Sequence, residues 1–316
     1  MLKSKSKTIF TILLLLAVTV FIINPNSCMN SCLNGLKIWL INVVPALFPF
    51  FILTRIITSL NQTSIPLLDK FTYKFFRSHN SGLVYCLSLL SGYPVGAKMI
   101  SNYYEIGAID KSTATKMFSF CSTSGPMFIV GTIGIGVFRS AKVGYILLIG
   151  HIVGSFLNGL LYRGKKSMQN FQQPKITKTT INDIMYDSII SILLVGGYIV
   201  FASVTIELLK ITNILPTLST IISNLIHFDY NTVYALLCGI IEITNGLITL
   251  GACNISIYTK IMISAILIAF SGICIMLQST AFLNKIGISK RTMIIQKITQ
   301  ALFTGLATVI IVCIVY

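Results

Sequence analysis

The chain has 316 residues, of which 54% are hydrophobic and 10% charged, and its formal net charge is +16. With a mean hydropathy of +0.85, a soluble fold is excluded: no single core of this size hides so much apolar surface. The 24 Lys and Arg sit mostly in short loops between apolar runs, not in a stripe interleaved with aromatics. That pattern belongs to a membrane protein and excludes a nucleic-acid binder.

Apolar runs cover 8–24, 36–60, 82–100, 117–138, 143–162, 187–210, 232–251, 261–282 and 292–315. Their lengths predict an all-α polytopic membrane protein embedded in the lipid bilayer. Lys3, Lys5 and Lys7 precede the first run. That arrangement resembles a signal peptide, but no small-residue cleavage site follows, so an uncleaved transmembrane helix is expected.

The run 82–100 ends in "SGYPVGAKM", Ser91–Met99. Gly92, Pro94, Gly96 and Lys98 do not belong in a plain spanning helix, yet the stretch is otherwise apolar enough to span. A broken backbone is tolerated in a membrane only where protein or a water-filled cavity satisfies the freed N–H and C=O groups. Lys98 either snorkels to the interface or draws a substrate carboxylate. The run 117–138 contains "FCSTSGP", Phe120–Pro126. Ser122, Thr123 and Ser124 offer hydroxyls, while Gly125 and Pro126 can interrupt the helix and release carbonyls. The bland reading of these residues is a close helix–helix contact. His151 stands alone in the run 143–162, where a helix–helix hydrogen bond is its ordinary use.

The stretch Arg163–Asp183 is the longest polar one and reads as a linker between halves. In the second half, Glu242 in "IIEITNG" is one of eight acidic residues and lies deep in an apolar run. An ionisable group there is a functional candidate, as a proton or substrate site. The alternative is a structural ion pair with Lys98 or Arg55. Thr244 and Asn245 stand beside Glu242 as hydrogen-bonding candidates. Glu207 lies close enough to a helix end to reach water. The cysteines and histidines show no zinc spacing, so no metal site is expected.

Sliding the chain along itself by 150 residues sets Gly96 on Gly246, Phe120 on Phe270 and Phe51 on Phe201. The order of segment types repeats, as in transporters built from duplicated halves. If every run spans, Lys and Arg divide 12 inside to 8 outside, with the basic linker outside. If 82–100 and 232–251 each enter and leave on one side, the division becomes 16 to 4. The second arrangement obeys the positive-inside rule far better. It predicts an inverted repeat with two re-entrant hairpins. Broken-helix N-termini near the midplane would then offer partial positive charge to an anion.

The expected organisation is an N-terminal helix and loop (1–35), a first repeat (36–162), a basic cytoplasmic linker (163–186) and a second repeat (187–316). Gly92, Tyr93, Gly96, Lys98, Ser122, Thr123, Ser124, Gly125, Glu242, Thr244 and Asn245 make up the expected binding site. No cofactor is implied. A homo-oligomer and a coupling proton or cation are left open. No HExxH, GxSxG, paired intramembrane aspartates or phosphate-binding loop occurs, which speaks against an enzyme or an ATP-driven pump.

"VVPALFPFFILT" (Val43–Thr54), "SGYPVGAKM" and "FCSTSGPMFIVGTIGIGVF" (Phe120–Phe138) resemble the YlbJ, or SpoVV, family of sporulation integral membrane proteins. That family carries the nucleoside-recognition or "gate" domain, distantly like parts of concentrative nucleoside transporters. The resemblance implies a transporter in the outer forespore membrane that moves dipicolinate from the mother cell towards the forespore. Two other readings stand beside it. One is a nucleoside transporter, with Glu242 and Asn245 on ribose hydroxyls. The other is a non-transporting scaffold whose hairpins are packing devices.

Overall fold

A computed structural model describes residues 2–59, 64–164 and 180–315, with the side chains at 2–6, 10 and 58 left out. Residues 165–179, most of the expected linker, lie outside the described residues.

The first half begins with α1 (Leu2–Ile23), followed by α2 (Pro25–Lys37), a π-helical stretch π1 (Ile38–Val43) and α3 (Val44–Ser59). Pro25–Ile57 forms one continuous apolar helix, so the long helix starts well ahead of the expected residue 36. Pro25 stands in its first turn, where a missing N–H costs nothing. Next come α4 (Pro66–Phe76), α5 (Gly82–Ser91), α6 (Val95–Glu105), α7 (Lys111–Cys121), the π-helix π2 (Met127–Val137) and α8 (Ala141–Leu161).

The second half repeats this order. A long helix, α9 (Ile181–Ile211), precedes a short amphipathic one, α10 (Ile214–Ile226). Two short helices follow, α11 (Tyr230–Ile241) and α12 (Ile243–Ala252), then a broken one, α13 (Ile257–Phe270) with α14 (Gly272–Leu283), and an unbroken one, α15 (Lys290–Val315). Among the described residues there is no strand, and five helices are long and apolar enough to cross a membrane. The run 261–282, expected as a single small-residue helix, breaks at Ser271–Gly272, where both residues have positive φ.

The breaks keep the 150-residue register seen in sequence, Gly92 against Glu242 and Ser122 against Gly272. Each short pair is a hairpin whose arms fold back on each other. A Cβ on Gly96 would lie 3.1 Å from Ser88 Cβ, and one on Gly246 only 2.1 Å from Gly239 Cα. Arms of 10–12 residues reach about half of the roughly 30 Å of a bilayer core.

The ends of each hairpin also meet. Asn80, ahead of α5, donates through Nδ2 to the Ala108 carbonyl after α6 at 3.1 Å. Thr232, at the start of α11, neighbours Cys253, just past α12. Contacts between loops follow the two sides that the 16-to-4 charge count assigns. Lys285 pairs with Glu105 at 2.8 Å, and Gly164 lies against Lys116. On the other side, Lys260 Nζ donates to the Gly251 carbonyl at 2.7 Å, and Gly251 lies against Val137.

The halves join most extensively through two helix pairs. The α8 glycines 150 and 154 lie against Thr308 and Thr304 of α15. Asn158 of α8 donates to the carbonyls of Ser119 and Gln296, at 2.7 and 3.0 Å. Small residues and buried amides are the usual glue where lipid removes any hydrophobic drive between helices. The second pair is α2–α3 against α9. There Gly196 makes room for the ring of Trp39, whose Nε1 donates to the Ile192 carbonyl at 3.0 Å.

Candidate functional site

Each hairpin tip packs into the break of the helix that follows it. In the first half, Gly92 turns the chain at φ 82° and ψ −169°, a region open in practice only to glycine. A Cβ there would lie 2.4 Å from the backbone N of Gly125. Thr123 Oγ1 donates to the Ser88 carbonyl at 2.8 Å, and a Cβ on Gly96 would strike the Cys121 carbonyl. In the second half, Gly272 at φ +70° faces the carbonyls of Gly239, Ile240 and Ile241.

A central pocket of about 460 Å³, counted to its open mouth, lies where these four interruptions converge. Tyr93 of the first tip lines it, with Ser124, Gly125 and Phe128 of the first break. Glu242, Ile243 and Thr244 of the second tip and Cys274, Ile275 and Gln278 of the second break face them. Val43, Leu47, Val195 and Ile199 close the pocket from the long helices.

Five of the expected site residues thus meet in one place: Tyr93, Ser124, Gly125, Glu242 and Thr244. The others do not line it. Gly92, Gly96, Ser122 and Thr123 pack behind the wall and fix its shape. Lys98 and Asn245 line two further chambers. Lys98 Nζ donates to Ser191 Oγ at 2.7 Å, in a chamber of about 460 Å³ with Thr54, Arg55 and Asn102. Asn245 faces a polar chamber of about 730 Å³ lined by Ser27, Asn30, Asn34, Ser203, Glu207 and Lys210.

One side of α9 passes all three chambers. Ser188 and Ser191 border the first, Val195 and Ile199 the central pocket, and Ser203 and Lys210 the third. From Ser188 to Lys210 the helix rises about 33 Å at 1.5 Å per residue, close to the thickness of a bilayer core.

Glu242 takes neither of the expected ion-pair partners. Arg55 pairs instead with Asp187, an acid of the first turns of α9. The Glu242 carboxylate, 1% exposed, caps α12. It accepts from the N–H groups of Thr244 at 3.0 Å and Asn245 at 2.8 Å, and from Asn245 Nδ2 at 2.9 Å. An N-cap carboxylate uses the positive end of the helix dipole, so the α12 terminus, expected to be open to an anion, is already occupied. Side-chain caps are absent at the N-termini of π2 and α14, and both border the pocket.

Two buried polar groups stand directly behind the wall. His151 Nε2 accepts from the Ser124 N–H at 2.9 Å. Lys297, 1% exposed, donates to the Tyr93 hydroxyl and the Ser122 carbonyl at 2.8 and 3.0 Å. Lys297, within the terminal apolar run 292–315, was not among the expected site residues. Its partners lie 204 and 175 residues away, beyond any local pattern. Among the described residues, no three His, Cys, Asp or Glu side chains gather where they could share a metal ion.

No model of a known protein family matches the chain, and no solved structure matches it. A curated relative does: the sporulation integral membrane protein YlbJ of Bacillus subtilis (strain 168), 26% identical over 96% of this chain and 82% of its own length. The chain is a relative of YlbJ. The match to YlbJ extends over both halves, so the resemblance carried by the three motifs holds beyond them. With this match and its apolar helices, the chain is an integral, multi-pass membrane protein.

Proposed function

We propose that the chain is a transporter of a small organic anion, with dipicolinate the first candidate. It would work from the outer forespore membrane, moving the anion from the mother cell towards the forespore. The observation that carries this reading is the convergence of two hairpin tips and two helix breaks on one pocket. Half-helix N-termini at a midplane site recur in transporters, where they face anionic groups. Here the uncapped N-termini of π2 and α14 supply that partial charge. Glu242 is held by α12 N–H groups, which offset its repulsion of an anion. The matching order of elements and breaks, with hairpin ends meeting pairwise, supports an inverted repeat with re-entrant hairpins, distantly like the concentrative nucleoside transporters. The sporulation role comes from the relative's name.

A nucleoside is the second reading, favoured by one observation. The pocket lining carries a carboxylate, an amide and hydroxyls but no cation, a set suited to sugar hydroxyls. Equilibrium dialysis of the purified protein against dipicolinate and against uridine separates the two. Dipicolinate binding that Ser124→Leu abolishes supports the first reading. Uridine binding alone supports the second.

A further inference from the structure

Lys297 is a buried lysine whose hydrogen-bond partners are three oxygens, none from a carboxylate, and its Nζ also stands 4.7 Å from the centre of the Tyr93 ring. Its Nζ lies 2.8 Å from the Tyr93 hydroxyl, 3.0 Å from the Ser122 carbonyl and 2.7 Å from Oε1 of Gln300. Ion pairs among the described residues include Arg55–Asp187, Lys210–Glu207 and Lys285–Glu105, and Lys297 has no part in these.

The chemistry of the three oxygens sets the count. A carbonyl and an amide oxygen can only accept. The Tyr93 hydroxyl spends its own hydrogen on the Ile268 carbonyl at 3.3 Å, which leaves its lone pairs to accept as well. Three acceptors match the three N–H groups of an ammonium. The Ser122 carbonyl is available for a local reason. In a continuous helix it would accept from the N–H of residue 126, but residue 126 is Pro and has none. Backbone carbonyls released at broken helices are where transporters hold sodium ions or protons.

We infer that Lys297 is the resident cation of this junction: its ammonium occupies an oxygen site that would otherwise take a monovalent metal ion. It ties the tip of the first hairpin (Tyr93) to the first break (Ser122) from helix α15. Sodium and potassium are therefore not needed to hold the junction closed. If the chain is a transporter, as proposed above, a sodium ion held at this junction is not what drives it.

The test is thermal unfolding of the purified full-length protein in detergent, in sodium, potassium or choline chloride at equal ionic strength. It requires no transport, so it stands or falls apart from the proposed substrate. Wild type is expected to unfold at one temperature in all three salts. Lys297→Ala empties the site and is expected to unfold several degrees lower in choline chloride and to recover part of the loss in sodium or potassium chloride. Lys297→Met fills the space with an apolar chain and is expected to show no such recovery. A wild type stabilised by sodium over choline, or a Lys297→Ala protein equally unstable in all three salts, overturns the inference. Should Lys297→Ala not accumulate, Gln300→Ala serves. It is expected to lose stability equally in the three salts, and a sodium-specific gain in that variant overturns the inference.

Discussion

Gly92 and Gly125 meet backbone to backbone, so that a single methyl group on Gly92 would stand 2.4 Å from the Gly125 nitrogen. The first hairpin tip and the first helix break are therefore one packed unit. Gly92→Ala must move one of two backbones and adopt a conformation that costs a non-glycine residue about 1–3 kcal/mol. A clear fall in unfolding temperature and loss of solute binding are expected. Gly197→Ala, which meets nothing within 4 Å, is the control and is expected to match wild type in both assays.

Glu242 is predicted to act first as a cap. Glu242→Ala leaves the Thr244 and Asn245 N–H groups unpaired in a buried site, a loss of about 1–2 kcal/mol. Glu242→Gln keeps an oxygen acceptor and is expected to retain more of the stability. Thermal unfolding of both variants checks the order. Equal losses would show that the carboxylate's charge, not its acceptor geometry, holds the tip.

Lys98 and Glu242 border different chambers, so they are predicted not to couple. In unfolding, the double variant Glu242→Gln/Lys98→Met is expected to show the sum of the two single effects, within about 0.5 kcal/mol. Asp187 is the acid that matters to Lys98, together with the neighbouring Arg55. Asp187→Asn leaves two cations facing each other and is expected to destabilise, and Lys98→Met is expected to recover part of that loss.

Side-specific labelling checks the hairpins. Cysteines introduced at Asn80 and Ser112 are expected to react from the linker side, and those at Asn231 and Thr259 from the opposite side. Labelling of Asn80 and Ser112 from opposite sides would break the re-entrant reading, despite the direct contact between Asn80 and Ala108.

The parts of this architecture with a local chemical signature were legible in the chain. Gly92–Pro94 and Gly125–Pro126 break helices whatever surrounds them, and both breaks were expected. The charge count pointed to hairpins at 82–100 and 232–251, because loops report their side through Lys and Arg, and each run folds as two short helices packed back on each other. Ser271–Gly272 escaped notice, since a lone glycine in an apolar run is usually tolerated inside a helix. Glu242 was flagged by its cost in an apolar run, yet its role was not visible. A cap is recognisable only once the helix start is known, and Glu242 is flanked by Ile240–Ile241 and Ile243 with no Gly or Pro beside it to mark a break. Lys297 left no trace, because two of its three partners, Tyr93 and Ser122, come from the first half of the chain.

Uptake into vesicles containing the purified protein tests the central claim most directly. Dipicolinate is predicted to accumulate inside wild-type vesicles, equally in sodium and choline buffers, with uridine at the level of empty vesicles and Ser124→Leu inactive. Uridine uptake without dipicolinate uptake, or neither solute entering through a stably folded protein, would contradict it.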